Sequence, residues 1–154
     1  MHNLLSNFLG SLKALQIWFH SAHVLSKGPA FAGDHVHIYG EIYEAAAKHY
    51  DLGVEKFIAL TNQESFACPV SSTAAAIKLL ETYPSPVDQS GLVIASTAYQ
   101  IIKSFIISTE KLARDLEKEA FLTLGMSDYL SSLASEYENY FYFLQQRVKL
   151  EVGE

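Results

Sequence analysis

The feature that most constrains this chain is an apolar period of three and four residues, sustained in four separate stretches. In the first, Leu5, Phe8, Leu12, Leu15, Phe19 and Ala22 recur at that spacing. An α-helix turns once every ~3.6 residues, so these side chains share one face. Lys27-Gly28-Pro29 stops the run, because proline lacks an N–H donor and restrains the residue before it. The second stretch carries Ile38, Ile42, Ala45, Ala46, Tyr50, Val54, Phe57 and Ile58. It is expected to start near Gly33-Asp34, with Asp34 as N-cap, and to close at Thr61-Asn62-Gln63.

Residues 62–86 form a long connection with one short predicted helix, Ser72 to Glu81, between Cys68-Pro69 and Pro84-Ser85-Pro86. Ser85 is the expected cap of the next helix, with Pro86 in its first turn and Asp88 as the acid that reaches back. That third stretch carries Leu92, Ala95, Tyr99, Ile102, Phe105 or Ile106, Thr109, Leu112 and Leu116, and Gly125 is expected to break it. The fourth carries Leu130, Leu133, Tyr137, Tyr140 or Phe141, Leu144 and Val148. No internal repeat, low-complexity tract or β-type alternation interrupts this pattern. The expectation is an all-α chain, one domain over residues 1–154, folded as a four-helix bundle. A short helix sits in the crossover between the second and third long helices.

Composition narrows the function classes. The chain is 49% hydrophobic and 18% charged, with 8 Gly and 4 Pro, which is globular rather than disordered. Its net charge is −6 and no run of Lys or Arg appears, so binding nucleic acid by phosphate neutralisation is not expected. No stretch reaches about 18 uninterrupted apolar residues, so no membrane span is predicted. The N-terminal segment lacks a basic region and a small-residue cleavage site, so no signal peptide is read there. The single cysteine, Cys68, cannot form an intrachain disulfide, which fits a reducing, cytoplasmic setting; it is read as buried or inert.

The residues able to bind a metal lie around the junction of the first two helices. His20 and His23 are three apart on one helix and share a face; His35 and His37 follow the break. Asp51 and Glu55 are four apart on the second helix, so their carboxylates also share a face. Imidazole with carboxylate suits iron, zinc or manganese. An isolated His near a loop, or an acid pair at this spacing, is more often a solvated polar group. Asp115, Glu117, Glu119 and Asp128 are read in that way, as a solvated helix end. Tyr137, Tyr140, Phe141, Tyr142 and Phe143 are read as core plus subunit interface.

His23, Lys27-Gly28, Phe31 and His35, followed by Tyr43, Asp51 and Glu55, resemble the pattern of the Dps-type mini-ferritins. The Gly125-to-Leu130 segment and Glu136 to Leu144 resemble the family's fourth-helix features more loosely. The resemblance implies a ferritin-like bundle, twelve of which form a hollow shell built from dimers. It implies an iron site between two subunits, with His23 and His35 from one chain and Asp51 and Glu55 from the other. The implied reaction is oxidation of Fe(II) by hydrogen peroxide or oxygen, followed by storage of ferric iron inside the shell. Such a protein would protect against oxidative stress.

The sequence also departs from that pattern. His35 and Asp51 are sixteen residues apart, one more than the family places between them. At about 100° per residue, the relative angle changes from roughly 60° to roughly 160°. Because Tyr43 keeps its spacing to Asp51, the extra residue lies between His35 and Tyr43, where Gly40 sits. A π-bulge near Gly40, or a later helix start, is expected to absorb it; otherwise His37 becomes the ligand. Val24 stands where the family commonly has Trp, with Trp18 or nearby Tyr residues as replacements. The family's basic DNA-binding tail has no counterpart here, so no DNA binding is expected. The alternative reading is a ferritin-like structural or interaction protein that has lost catalysis. A di-metal enzyme acting within one bundle is disfavoured, because neither the second nor the fourth helix carries a Glu followed three residues later by His.

Overall fold

The computed structural model describes residues 1–152, with side chains described as far as Lys149. Helix α1 spans His2–Leu25. A π-helix, Gly33–Gly40, runs directly into α2, Glu41–Thr61. A 3-10 turn at Glu64–Ala67 and the short helix α3, Pro69–Leu80, form the crossover. Helices α4, Gly91–Lys118, and α5, Leu124–Val152, complete the bundle. The expected all-α architecture, with a short helix in the crossover between the second and third long helices, is the one observed. Helix α1 packs on α2, α3 and α4, and α4 packs on α5.

The apolar stripes face the core. Leu5, Leu12, Leu15, Phe19 and Ala22 of α1 are wholly buried, as are Ile102 and Leu116 of α4. Each such Leu, Ile or Phe side chain contributes roughly 1.5–3 kcal/mol relative to exposure. One aromatic layer ties all four long helices together. Phe8 of α1 lies 6.3 Å from Phe57 of α2 and 5.8 Å from Phe105 of α4, whose ring is 4.7 Å from Tyr137 of α5.

The crossover docks through small residues. A Cβ on Gly10 of α1 would lie 2.5 Å from the Cβ of Ala75, so glycine there lets α3 approach α1 closely. Tyr50 donates to Ser72 Oγ at 2.8 Å, joining α2 to α3, and the Trp18 indole donates to the Pro84 carbonyl at 3.0 Å.

Several sequence-based expectations are corrected. Asp34 does not cap a helix: the helical backbone is already under way at Phe31, and Asp34 is buried within the π-helix. There its carboxylate accepts from Arg147 Nε of α5 at 3.1 and 3.3 Å. Ser85 closes only a local turn, accepting from Val87 N–H, and Asp88 adopts φ 59, outside any helix. The cap of α4 is Ser90, whose hydroxyl accepts from Val93 N–H at 3.2 Å. Gly125 lies in the first turn of α5; the break falls earlier, after Lys118. Cys68 is partly exposed, at the start of α3. The Ser71 side chain and the first backbone N–H groups of α3 hold its thiol below the ordinary range.

Among the described residues, one helix, Gly91–Lys118, is long and apolar enough to cross a membrane by length and composition. In this fold its apolar stripe, including Ile94, Ala98, Ile102, Phe105 and Leu112, is buried in the bundle.

Candidate metal centre

The π-helix builds this site. A π turn pairs residues five apart instead of four, and so holds about one more residue than the α-helical turns it replaces. Its position, Gly33–Gly40, overlaps the interval between His35 and Tyr43 that holds the extra residue. The rotation from His35 to Asp51 is thereby reduced by roughly one residue's worth, about 100°.

Two reciprocal hydrogen bonds join the π-helix to α1. The His35 carbonyl accepts from His23 Nδ1 at 2.6 Å, and the His23 carbonyl accepts from His35 Nδ1, also at 2.6 Å. Carbonyl oxygens only accept, so both rings carry their hydrogen on Nδ1. Each Nε2 is then left with an in-plane lone pair, the form in which imidazole binds a metal. The rings stack at 3.7 Å between centroids, inclined by 12°. Gly40 makes room for this arrangement: a Cβ there would meet the His35 carbonyl at 2.8 Å and His23 Nδ1 at 3.2 Å.

Flanking rings continue the stack. Phe31 covers the outer face of the pair, 5.0 Å from His35 and inclined 22°, and His20 lies 6.5 Å from His23, also at 22°. Tyr43 leans against both His20, at 4.9 Å, and His23, at 5.3 Å. The Asp34–Arg147 ion pair, next to His35 in sequence, fixes the π-helix to α5. Trp18 is buried and engaged with the crossover, so the aromatic ring nearest the imidazoles on α2 is Tyr43.

Not every predicted ligand is brought together. Asp51 and Glu55 are exposed on α2, and His37 is exposed outside the ring stack. Asp51 is eight residues beyond Tyr43, about 12 Å along the helix axis. Among the described residues, no group of three or more His, Cys, Asp or Glu in this single chain is placed to hold a metal ion. Within one chain, the two imidazole donors and the two carboxylates are therefore not gathered into one metal-binding group.

Sequence reasoning missed a second polar cluster, inside the bundle. His49 of α2 is buried, with Nδ1 3.2 Å from the Tyr137 hydroxyl and Nε2 3.1 Å from Glu136 Oε2. Tyr140 donates to Glu136 Oε1 at 2.8 Å. The available signal was that His49 falls four residues after Ala45, on the apolar face of α2.

No family model matches the sequence, and no curated protein matches it. Solved structures do. The tetragonal form of Mycobacterium smegmatis Dps superposes with a TM-score of 0.77 at 22% identity, covering 94% of this chain and 84% of that one. An N-terminal deletion mutant of Dps from the same organism gives a TM-score of 0.76 at 21% identity, covering 96% and 93%. A C-terminal deletion mutant gives 0.74 at 22% identity, covering 92% and 93%. The chain has the fold of these Dps structures, a four-helix bundle with a short helix in the crossover.

Proposed function

We propose that this protein is an iron-binding mini-ferritin that oxidises Fe(II) between two subunits and stores the ferric product in an oligomeric shell. The observation that carries this reading is the reciprocal pair of 2.6 Å hydrogen bonds between His23 and His35. It presets two ring nitrogens as donors before any ion arrives. Iron is the substrate. His23 and His35 of one chain would bind it as Fe(II), and Asp51 and Glu55 of the partner chain would complete the site. The electron passes to hydrogen peroxide or dioxygen. Hard carboxylate oxygens favour the ferric product. Ligation needs neutral imidazole, so loading weakens in acid. That no three ligating groups meet among the described residues of one chain supports an inter-subunit site, and the net charge of −6 favours attraction of cations over DNA.

A second reading, a structural or interaction subunit without catalysis, is favoured by the extra residue before Asp51. Complementation separates the two. One variant carries His23→Ala with His35→Ala, and another carries Asp51→Ala with Glu55→Ala. Each alone should fail to form ferric absorbance from ferrous iron and peroxide. Co-assembled, they should regain activity, because one of the two sites in each mixed dimer is intact. Failure to regain activity in mixed assemblies of normal mass would overturn the shared site. A wild-type shell that never oxidises iron would favour the structural reading.

A further inference from the structure

We propose that a groove between the crossover loop and α4 binds an uncharged, flat small molecule of two or three aromatic rings, with hydroxyl or carbonyl groups along one edge. The groove has a volume of about 610 Å³, within the roughly 300–1,000 Å³ common for small-molecule sites. It uses none of His23, His35, Asp51 or Glu55, so it stands independently of the iron reading.

The register of α4 builds one wall in two rows. Residues four apart on a helix lie nearly above one another. Val93, Thr97 and Ile101 therefore form one row, and Leu92, Ser96, Gln100 and Ser104 form the other. The first row is β-branched throughout, and such side chains are stiff at χ1, so this surface is formed before a ligand arrives. Toward Ile101 this row sinks into the bundle. Ile101 is buried and Thr97 half-buried, while Gln100 and Ser104 beside them are exposed. At that end the first row is the floor and the second the rim. The opposite wall is Thr82, Tyr83 and Pro84. The Trp18 indole holds this wall in place by donating to the Pro84 carbonyl at 3.0 Å. Burial pushes the Tyr83 phenol up to about 12, so it stays uncharged at neutral pH.

Charge and hydrogen bonding in the lining select the ligand. None of its ten residues is charged, in a chain where 18% are. An ion entering here would lose water without gaining a counter-charge. The α4 wall is also not simply apolar. Among the described residues, the side chains of Ser96, Thr97, Gln100 and Ser104 make no hydrogen bond. Thr109 on the same helix, by contrast, folds back on the Phe105 carbonyl at 2.9 Å. A plain hydrocarbon chain would strip water from the four polar groups and give nothing in return. A sugar would press its hydroxyls against Val93 and Ile101 with the same result. A ring system instead buries its faces against the floor and the Tyr83 ring, and pairs its edge oxygens with the rim. Leu92 to Ser104 covers about 18 Å of helix, which leaves room for two or three rings in line.

The test is binding of Prodan, an uncharged naphthalene ketone, to the whole chain in its native assembly. Wild type should take up one Prodan per chain with blue-shifted emission. It should bind the anionic dye anilinonaphthalene sulfonate about tenfold more weakly or worse. Trp18 is the single tryptophan and is bonded to Pro84, so bound Prodan should also quench the indole emission by energy transfer. Thr97→Phe fills the slot and should abolish saturable uptake. Gln100→Leu removes an amide donor from the rim and should weaken binding about threefold to tenfold. Tyr142→Ser, at an exposed aromatic outside the groove, should leave it unchanged. Equal uptake by Thr97→Phe of native helix content would overturn the proposal. So would equal affinity for the two dyes in wild type, or a wild type that takes up no Prodan because a second copy covers this face. Neither of those measurements needs a variant to fold.

Discussion

Gly40 and His35 meet where the π-helix closes: a Cβ on Gly40 would lie 2.8 Å from the His35 carbonyl oxygen. That oxygen is also the acceptor that orients the His23 ring, at 2.6 Å. Gly40→Ala should push the carbonyl or the ring aside and release the His23 tautomer. Loss of such an orienting bond typically costs about 10- to 100-fold in metal affinity. Anaerobic titration with ferrous ion should show that loss while helix content stays unchanged. Equal affinity in the variant would mean that the carbonyl does not orient the ring.

The Asp34–Arg147 pair is a different kind of contact, because both partners are largely withdrawn from water. Their side chains are 2% and 11% exposed. Asp34→Asn removes the carboxylate charge from this ion pair, which should cost roughly 3–5 kcal/mol. Replacing both residues by leucine should cost less than the single change, since the pair's desolvation penalty disappears with it. Denaturant unfolding of the three proteins would measure both differences.

These two sites show what could be read from the chain and what could not. The buried stripes follow from spacing, because an amphipathic face is a local property of a helix: Leu5 to Ala22 are core as expected. The position of the surplus residue was also legible, since Tyr43 and Asp51 keep their mutual spacing. Asp34 was misread because a short acid after Gly33 has the chemistry of a cap, whereas its partner lies 113 residues away. Ser85 was misread for a related reason: it makes the expected local bond, to Val87 N–H, but in a turn that does not continue as helix. The meeting of His49 with Glu136 depends on how α2 lies against α5, and no local pattern encodes that.

His49 should make stability depend on pH. Its folded-state value lies below the ordinary 6.5, chiefly because burial disfavours the imidazolium. As pH falls through about 6.5, the unfolded chain binds this proton before the folded one does. Stability contributed at neutral pH is therefore lost progressively on acidification, until the folded group titrates as well. Thermal midpoints between neutral and mildly acidic pH should fall in wild type and fall less in His49→Gln. Parallel curves for the two proteins would assign the acid sensitivity to other groups.

Gly10 is the contact through which the crossover helix docks. A Cβ there would meet the Ala75 Cβ at 2.5 Å and the α3 backbone at 3.2 and 3.3 Å. Backbone cannot turn aside as a side-chain tip can, so Gly10→Ala should force α3 away from α1 at a cost of about 1–3 kcal/mol. Hydrogen exchange should quicken across Pro69–Leu80 before it changes in α4 or α5. Uniform protection in the variant would show that the interface absorbs the methyl group.

The π-helix also gives the chain a spare residue. Deleting one position within it would convert the wide turn to an ordinary α-helical one and leave everything from Glu41 onward at its present rotation. Val36 is 53% exposed, so its removal would cost the core little. A lineage carrying this helix can therefore gain or lose one codon here without reshuffling the bundle, and what changes is the backbone oxygen offered to His23. Insertion and deletion at this point tune the surface that carries His23 and His35 while the interior is left alone.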